Sequence, residues 1–154
     1  MTMEVGEQAP DFTLPGDGDT DISLSALKGS NVVVYFYPRD MTPGCTIEAR
    51  DFTTLKPEFD AANTVVIGIS KDSPARHDKF VAKHDLKIRL ASDAEGTSLD
   101  AFAVWKEKKL YGRTFMGIVR STFLIDAEGI IRQVWSKVKV KGHAQAVLDA
   151  AKDL

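Results

Sequence analysis

Residues 31–37 read Asn-Val-Val-Val-Tyr-Phe-Tyr, and Pro38 ends the run. A strand with one wet face alternates apolar and polar residues, whereas an unbroken apolar run is buried on both faces. Only a sheet covered on both sides offers such a position. A second run of the same kind, Thr64 to Ser70 (TVVIGIS), follows at a distance that leaves room for one helix. Two buried strands joined by a helical crossover pair in parallel. The chain is therefore expected to be an α/β protein.

Between these runs, Cys45, Ala49, Phe52, Leu55 and Phe59 recur at the three-to-four spacing of one helical stripe. Pro57 interrupts it, so a break or kink is expected near Lys56, with Pro57 opening a second short helical piece. Asp72-Ser73-Pro74 supplies an N-cap and then a proline at the first helical position, which starts a helix to about His84. Ile88 to Ala91 reads as a short extended segment. Ser92-Asp93 and Gly96-Thr97 bracket a turn before a short helix through Val104. Ser121 to Asp126, the turn Ala-Glu-Gly129 and Ile130 to Trp135 form a hairpin pattern. Ala144, Val147, Leu148 and Ala151 mark a closing amphipathic helix. Near the start, Pro15-Gly-Asp-Gly-Asp-Thr20 is a turn linking Asp11–Leu14 to Ile22–Leu24. The predicted order β-α-β-α-β-β-α gives one domain over residues 1–154: a mixed central β-sheet with helices on both faces, the thioredoxin-like arrangement.

Twenty basic and 22 acidic residues leave a formal charge of −2. That balance calls for neither nucleic acid nor a membrane surface as partner. Met1 to Pro10 carries no basic segment followed by an apolar one, and no apolar stretch is long enough for a membrane span. A single cysteine fits a reducing compartment, so a cytoplasmic protein is expected.

That cysteine, Cys45, follows the first buried strand through Pro43-Gly44. It falls in the first turn of a helix, where unpaired N–H groups and the helix dipole favour the thiolate over the thiol. Sites in open α/β sheets gather at the carboxyl ends of the strands. Cys45 thus reads as a nucleophile, against the alternative of a buried structural cysteine. His77, His84 and His143 read as packing or surface residues. Three scattered histidines and one cysteine lack metal-site spacing, so neither metal nor cofactor is expected. Lys137, Lys139 and Lys141 alternate as on a solvated sheet face. Trp105, Tyr111 and Phe115 suit either a pocket mouth or the core. The absence of Cys-x-x-Cys argues against a disulfide oxidoreductase, and Asp51 at the sixth place after Cys45 excludes a phosphatase loop.

The chain resembles the peroxiredoxins, in their bacterioferritin-comigratory (Q-type) branch, over nearly its whole length. The resemblance rests on Gly6-Glu-Gln-Ala-Pro-Asp-Phe-Thr-Leu14, Tyr35-Phe-Tyr-Pro38 with Thr42-Pro-Gly-Cys-Thr46, and Val65–Ser70. Trp105-Lys-Glu-Lys108, Arg120–Asp126 and Val138–His143 extend it. It implies a thiol-dependent peroxidase acting on hydrogen peroxide and organic hydroperoxides. Carried over, Cys45 is the peroxidatic nucleophile, Thr42 offers its hydroxyl to the peroxide, and Arg120 holds the thiolate and polarises the O–O bond. Pro38 shields the thiolate and Gly44 permits close backbone approach. Glu48 corresponds to the position that orients the arginine, although a first-turn acid is also favourable simply toward the helix dipole.

Many relatives place a second, resolving cysteine five residues after the first; here that residue is Arg50. The departure implies a one-cysteine cycle in which an external thiol (thioredoxin, glutathione or a glutaredoxin) reduces a Cys45 sulfenic acid. The resemblance further implies a monomer or weak homodimer. The competing reading is a thioredoxin-fold binding or holdase module in which Cys45 is incidental.

Overall fold

The computed structural model describes residues 3–154. Its elements in chain order are β1 (Thr13–Pro15), β2 (Asp21–Ser23), β3 (Asn31–Phe36), α1 (Pro43–Ala61), β4 (Thr64–Ser70), α2 (Pro74–His84) and β5 (Arg89–Ser92). They continue with α3 (Thr97–Ala101), β6 (Trp105–Leu110), β7 (Arg113–Ile118), β8 (Ser121–Ile125), β9 (Ile131–Trp135) and α4 (His143–Lys152). The central sheet runs β5-β4-β3-β8-β9. β3 pairs in parallel with β4 and antiparallel with β8, so the first apolar run lies at the centre of a mixed sheet.

From Val32 onward, alternate residues of β3 feed two separate cores, which is why no charged or amide side chain follows Asn31 in the strand. Val32, Val34 and Phe36 pack with Ile67, Ile69, Phe123 and Ile125, beneath Phe12, Leu24 and the α3 residue Leu99. Val33, Tyr35 and Tyr37 pack on the other face against Phe52 and Phe59 of α1, Phe80 of α2, and Val147 and Leu148 of α4. Helices cover both faces, as expected.

Gly68, in the middle of β4, makes room for one of these rings. A Cβ there would lie 2.7 Å from Tyr35 Cζ and 3.0 Å from Leu90 Cδ2. The Tyr35 ring cannot retreat, because it stacks on Phe52 with centroids 4.8 Å apart. Gly68→Ala should lower stability by about 1–3 kcal/mol, the usual cost of overpacking, read as a reduced urea midpoint at unchanged slope.

Three features depart from the sequence expectations. Helix α1 runs unbroken through Pro57. Phe52 and Phe59 are fully buried on either side of it, while Pro57 itself is exposed. The lost N–H therefore leaves a carbonyl that water can reach, and burial of both phenylalanines holds the two halves in line. Second, Trp105–Ile118 forms an additional hairpin turned at Tyr111-Gly112, both with positive φ (52° and 74°). Tyr111 is exposed at its tip and Phe115 is also exposed, whereas Trp105 packs on the first core beneath Lys71. Third, Lys137, Lys139 and Lys141 lie in a loop, not on a sheet face; Lys137 has φ 51°, which breaks any strand. No helix of the described residues is long and apolar enough to cross a membrane.

Candidate active site

The loop from Tyr37 to Thr42 carries the chain from the carboxyl end of β3 into α1, where Pro43 occupies the first turn and Cys45 follows. Thr42 is the N-cap residue, yet its side chain caps nothing; its hydroxyl donates to the Arg39 carbonyl at 2.8 Å. Among the described residues, no backbone acceptor takes the N–H of Gly44 or Cys45. Two free donors therefore stand in the first turn with Cys45, at the positive end of a 19-residue helix.

Arg120 arrives from the start of β8, which pairs with β3, and the sheet register brings it across 75 positions of sequence. Its Nη2 donates to Cys45 Sγ at 3.3 Å and its Nη1 to Glu48 Oε1 at 2.6 Å. The planar fork thus spans sulfur and carboxylate at once, which a lysine could not do. Gly44 permits this approach, since a Cβ on it would stand 3.3 Å from Arg120 Nη2.

Glu48 is 1% exposed, so it is not a solvated helix-start acid. Burial pushes its carboxyl up to about 7 despite the opposing charge of Arg120, and its Oε2 has no partner among the described residues. Burial works against the Arg120 cation too, but Glu48 and then Cys45 more than offset it and hold the guanidinium above its ordinary value. Sequence reasoning overlooked Tyr35, whose buried hydroxyl has no partner among the described residues and whose ionisation is suppressed by burial, then by Glu48 and Cys45. Its place in an apolar strand gave no sign of proximity to the site.

Cys45 is buried, and a cleft of about 450 Å³ lies at its partner Arg120, lined also by Pro38, Lys108, Val119 and Lys137 among others. Pro38 is exposed at its edge. Arg120 lines this cleft and is also the residue whose Nη2 lies 3.3 Å from the sulfur.

This arrangement sets a lone thiol beside a guanidinium at the start of a helix, where a nucleophile and donors for developing negative charge stand together. A family model for the AhpC/TSA family matches residues 5–134. The chain belongs to that family. Relatives within it are the peroxiredoxins: Peroxiredoxin Bcp of Bacillus subtilis is 49% identical, the alignment covering 100% of this chain and 98% of the relative. Peroxiredoxin Bcp of Xanthomonas campestris is also 49% identical, with 97% and 94% covered. Among solved structures, a Xylella fastidiosa peroxiredoxin Q mutant superposes with a TM-score of 0.94 at 39% identity, covering 99% of this chain and 98% of that one. A Xanthomonas campestris bacterioferritin comigratory protein, studied for alkyl peroxide reduction, gives 0.88 at 48% identity, with 92% and 90% covered. The fold is therefore the thioredoxin-like fold of the peroxiredoxins, and the chain is a thiol peroxidase.

Two buried groups of this peroxiredoxin titrate in opposite directions. His143, packed between Phe52 and Trp135 and bonded to Thr122, has its imidazole pushed down to about 4 by burial and then by Arg120. Its preference for the neutral ring adds stability that is full above the ordinary histidine value of about 6.5 and is lost as pH falls toward 4. Glu48 prefers the protonated form when folded, so its contribution is lost as pH rises toward 7. The two trends offset one another between roughly pH 4.5 and 6.5. Urea unfolding across that window should give a shallow profile. In Glu48→Gln it should steepen, stability rising by about 2–3 kcal/mol with pH; an unchanged slope would show that neither group is buried as described.

Proposed function

We propose that Cys45 is the peroxidatic residue and that this peroxidase runs on one cysteine. The observation that carries the reading is the single guanidinium shared by Cys45 Sγ and the buried Glu48 carboxylate. The Cys45 thiolate attacks the distal oxygen of ROOH; the S–O bond forms as the O–O bond breaks, and RO⁻ leaves to take up a proton. Charge moves along the S–O–O line, so the useful donors are those fixed beforehand at both oxygens. Arg120 and the free N–H groups of Gly44 and Cys45 supply them. Thr42, whose hydroxyl donates to the Arg39 carbonyl, keeps its lone pairs available to accept a hydrogen bond from the O–H of the attacked peroxide. Pro38 screens the cleft edge.

Cys45 is the only cysteine, and Arg50 occupies the place of a resolving thiol on the exposed side of α1. The sulfenic acid then condenses with an external thiol RSH, releasing water and leaving Cys45–S–S–R. A second RSH exchanges with that disulfide, restoring the Cys45 thiol and giving RSSR. Thioredoxin, glutathione and a glutaredoxin are the candidate donors, with hydrogen peroxide and organic hydroperoxides as substrates and the cytoplasm as setting. A monomer or weak homodimer suffices, since every group named belongs to one chain.

The test is steady-state peroxide consumption with each thiol donor in turn. The wild type should turn over with at least one of them, and Cys45→Ser should show no rate above the thiol alone. Activity surviving in Cys45→Ser would exclude Cys45 as the nucleophile.

A further inference from the structure

The loop that delivers Pro38 and Thr42 to the site is strained and must be held. Met41, a non-glycine residue, sits at φ 69° in the left-handed region. A buried polar cluster on the inner side of the loop holds it there. The Asp40 side chain is fully buried and accepts from the Tyr37 hydroxyl at 2.5 Å. Its other oxygen faces His77 Nδ1 at 2.6 Å, and His77 is itself fully buried on α2. The Asp40 N–H donates to Asp72 Oδ2 at 2.8 Å, and Arg76 Nη2 reaches the Asp40 carbonyl at 3.4 Å. One residue of the loop is thus tied to the end of β3, to the β4–α2 turn and to α2.

The ring nitrogens of His77 fix the protonation. Nε2 stands 2.9 Å from the Ala91 carbonyl of β5, which can only accept, so Nε2 carries hydrogen. Nδ1 then faces a carboxylate already bonded to Tyr37, and the contact is satisfied when Nδ1 carries hydrogen as well. His77 is held as an imidazolium between Asp40 and Ala91, with Asp72 as the further nearby charge. Buried ion pairs commonly fail to repay their desolvation with stability, and apolar replacements of similar volume are often as stable. A pair kept here is better explained by the geometry it fixes.

The geometry points to Asp40 and His77 as positioning residues for peroxide reduction: the buried pair clamps the 37–42 loop and so sets Pro38 and Thr42 against Cys45. Neither residue touches the sulfur. Misplacement of the loop should slow attack on a peroxide, which needs aligned donors, and leave simple alkylation of the thiolate unaffected. This inference rests on the peroxidase reading, and alkylation keeps the two separable.

The experiment measures two second-order rates for Cys45, with hydrogen peroxide and with iodoacetamide, in wild type and variants of the full chain. In His77→Leu the peroxide rate should fall about tenfold or more while the alkylation rate stays within about twofold of wild type. Asp40→Asn should keep near-wild-type peroxide reactivity. Its amide can donate to a neutral Nδ1 and still accept from Tyr37, so every bond survives without charge. Should His77→Leu not fold, Tyr37→Phe, which removes a single donor to Asp40, should show the same divergence at smaller amplitude. Nitrogen-15 chemical shifts of the His77 ring should report both nitrogens protonated at neutral pH. Equal falls in both rates, a wild-type peroxide rate in folded His77→Leu or in Tyr37→Phe, or a neutral ring would overturn the inference. A wild type no more reactive toward peroxide than free cysteine, yet with a doubly protonated His77, would instead sink the peroxidase reading alone.

Discussion

Arg120→Ala should lower the rate at which hydrogen peroxide oxidises Cys45 by about two to three orders of magnitude. Removing one preorganised donor to developing negative charge typically costs that much, and Arg120 also places a cation 3.3 Å from the sulfur. The variant loses a second thing. Glu48 is 1% exposed, and without Arg120 its carboxyl is left buried with no partner, so it should take up a proton at neutral pH and the first turn of α1 should loosen. The double variant Arg120→Ala, Glu48→Gln separates the effects: it should regain stability and remain slow. Arg120→Lys should rescue little, because a single ammonium cannot reach the sulfur and the Glu48 carboxylate with the two parallel donors of the fork. Stopped-flow oxidation of the four proteins decides it; an Arg120→Ala rate within about threefold of wild type would remove Arg120 from the mechanism.

Oxidation of Cys45 in the absence of a thiol donor should reach a dead end: the protein should consume peroxide stoichiometrically and then stop. Excess peroxide should carry Cys45 to the sulfinic and then the sulfonic acid, with no intramolecular disulfide at any stage. The chain has one cysteine, and the residue five places on is Arg50. On an intact helix such positions lie roughly 7.5 Å apart along the axis, beyond comfortable disulfide reach of about 7 Å between Cα atoms. A relative with a thiol there must unwind its helix to resolve. Here nothing draws α1 open, and Phe52 and Phe59 pin it to the sheet. Circular dichroism should therefore show the same helix content before and after one equivalent of peroxide. Intact mass should step by one, then two, then three oxygens. A product lighter by two hydrogens, or a loss of helix on oxidation, would contradict the one-cysteine cycle.

Much of the fold could be read from residues that serve one structural purpose each. The apolar runs ending at Tyr37 and Ser70 have only one place to go, and Ser73-Pro74 caps α2 through the Ser73 hydroxyl and Arg76 N–H as the motif predicts. The pairing of Cys45 with Arg120 was anticipated from the resemblance alone, and the structure places the two side chains 3.3 Å apart. The features that escaped the sequence depend on tertiary context. Trp105 to Leu110 is a strand made largely of lysine and glutamate, whose pairing with Arg113–Ile118 is set by the Tyr111-Gly112 turn and not by apolar alternation. The continuity of α1 across Pro57 comes from Phe52 and Phe59 being buried together, which no local propensity encodes. Glu48 left two readings open until its burial against Arg120 was seen. His77 looked like a packing or surface residue; only the convergence of β3, β5 and α2 shows that it bonds Asp40 of the loop after β3.

The most direct measurement mixes the reduced protein with one equivalent of hydrogen peroxide, without thiol, and tracks loss of the Cys45 thiol together with intact mass. A one-cysteine peroxidase predicts loss far faster than for free cysteine, one added oxygen per chain, and recovery of the original mass when a thiol donor is added. Thiol loss no faster than that of free cysteine would contradict it, and would leave a thioredoxin-fold binding module as the better description.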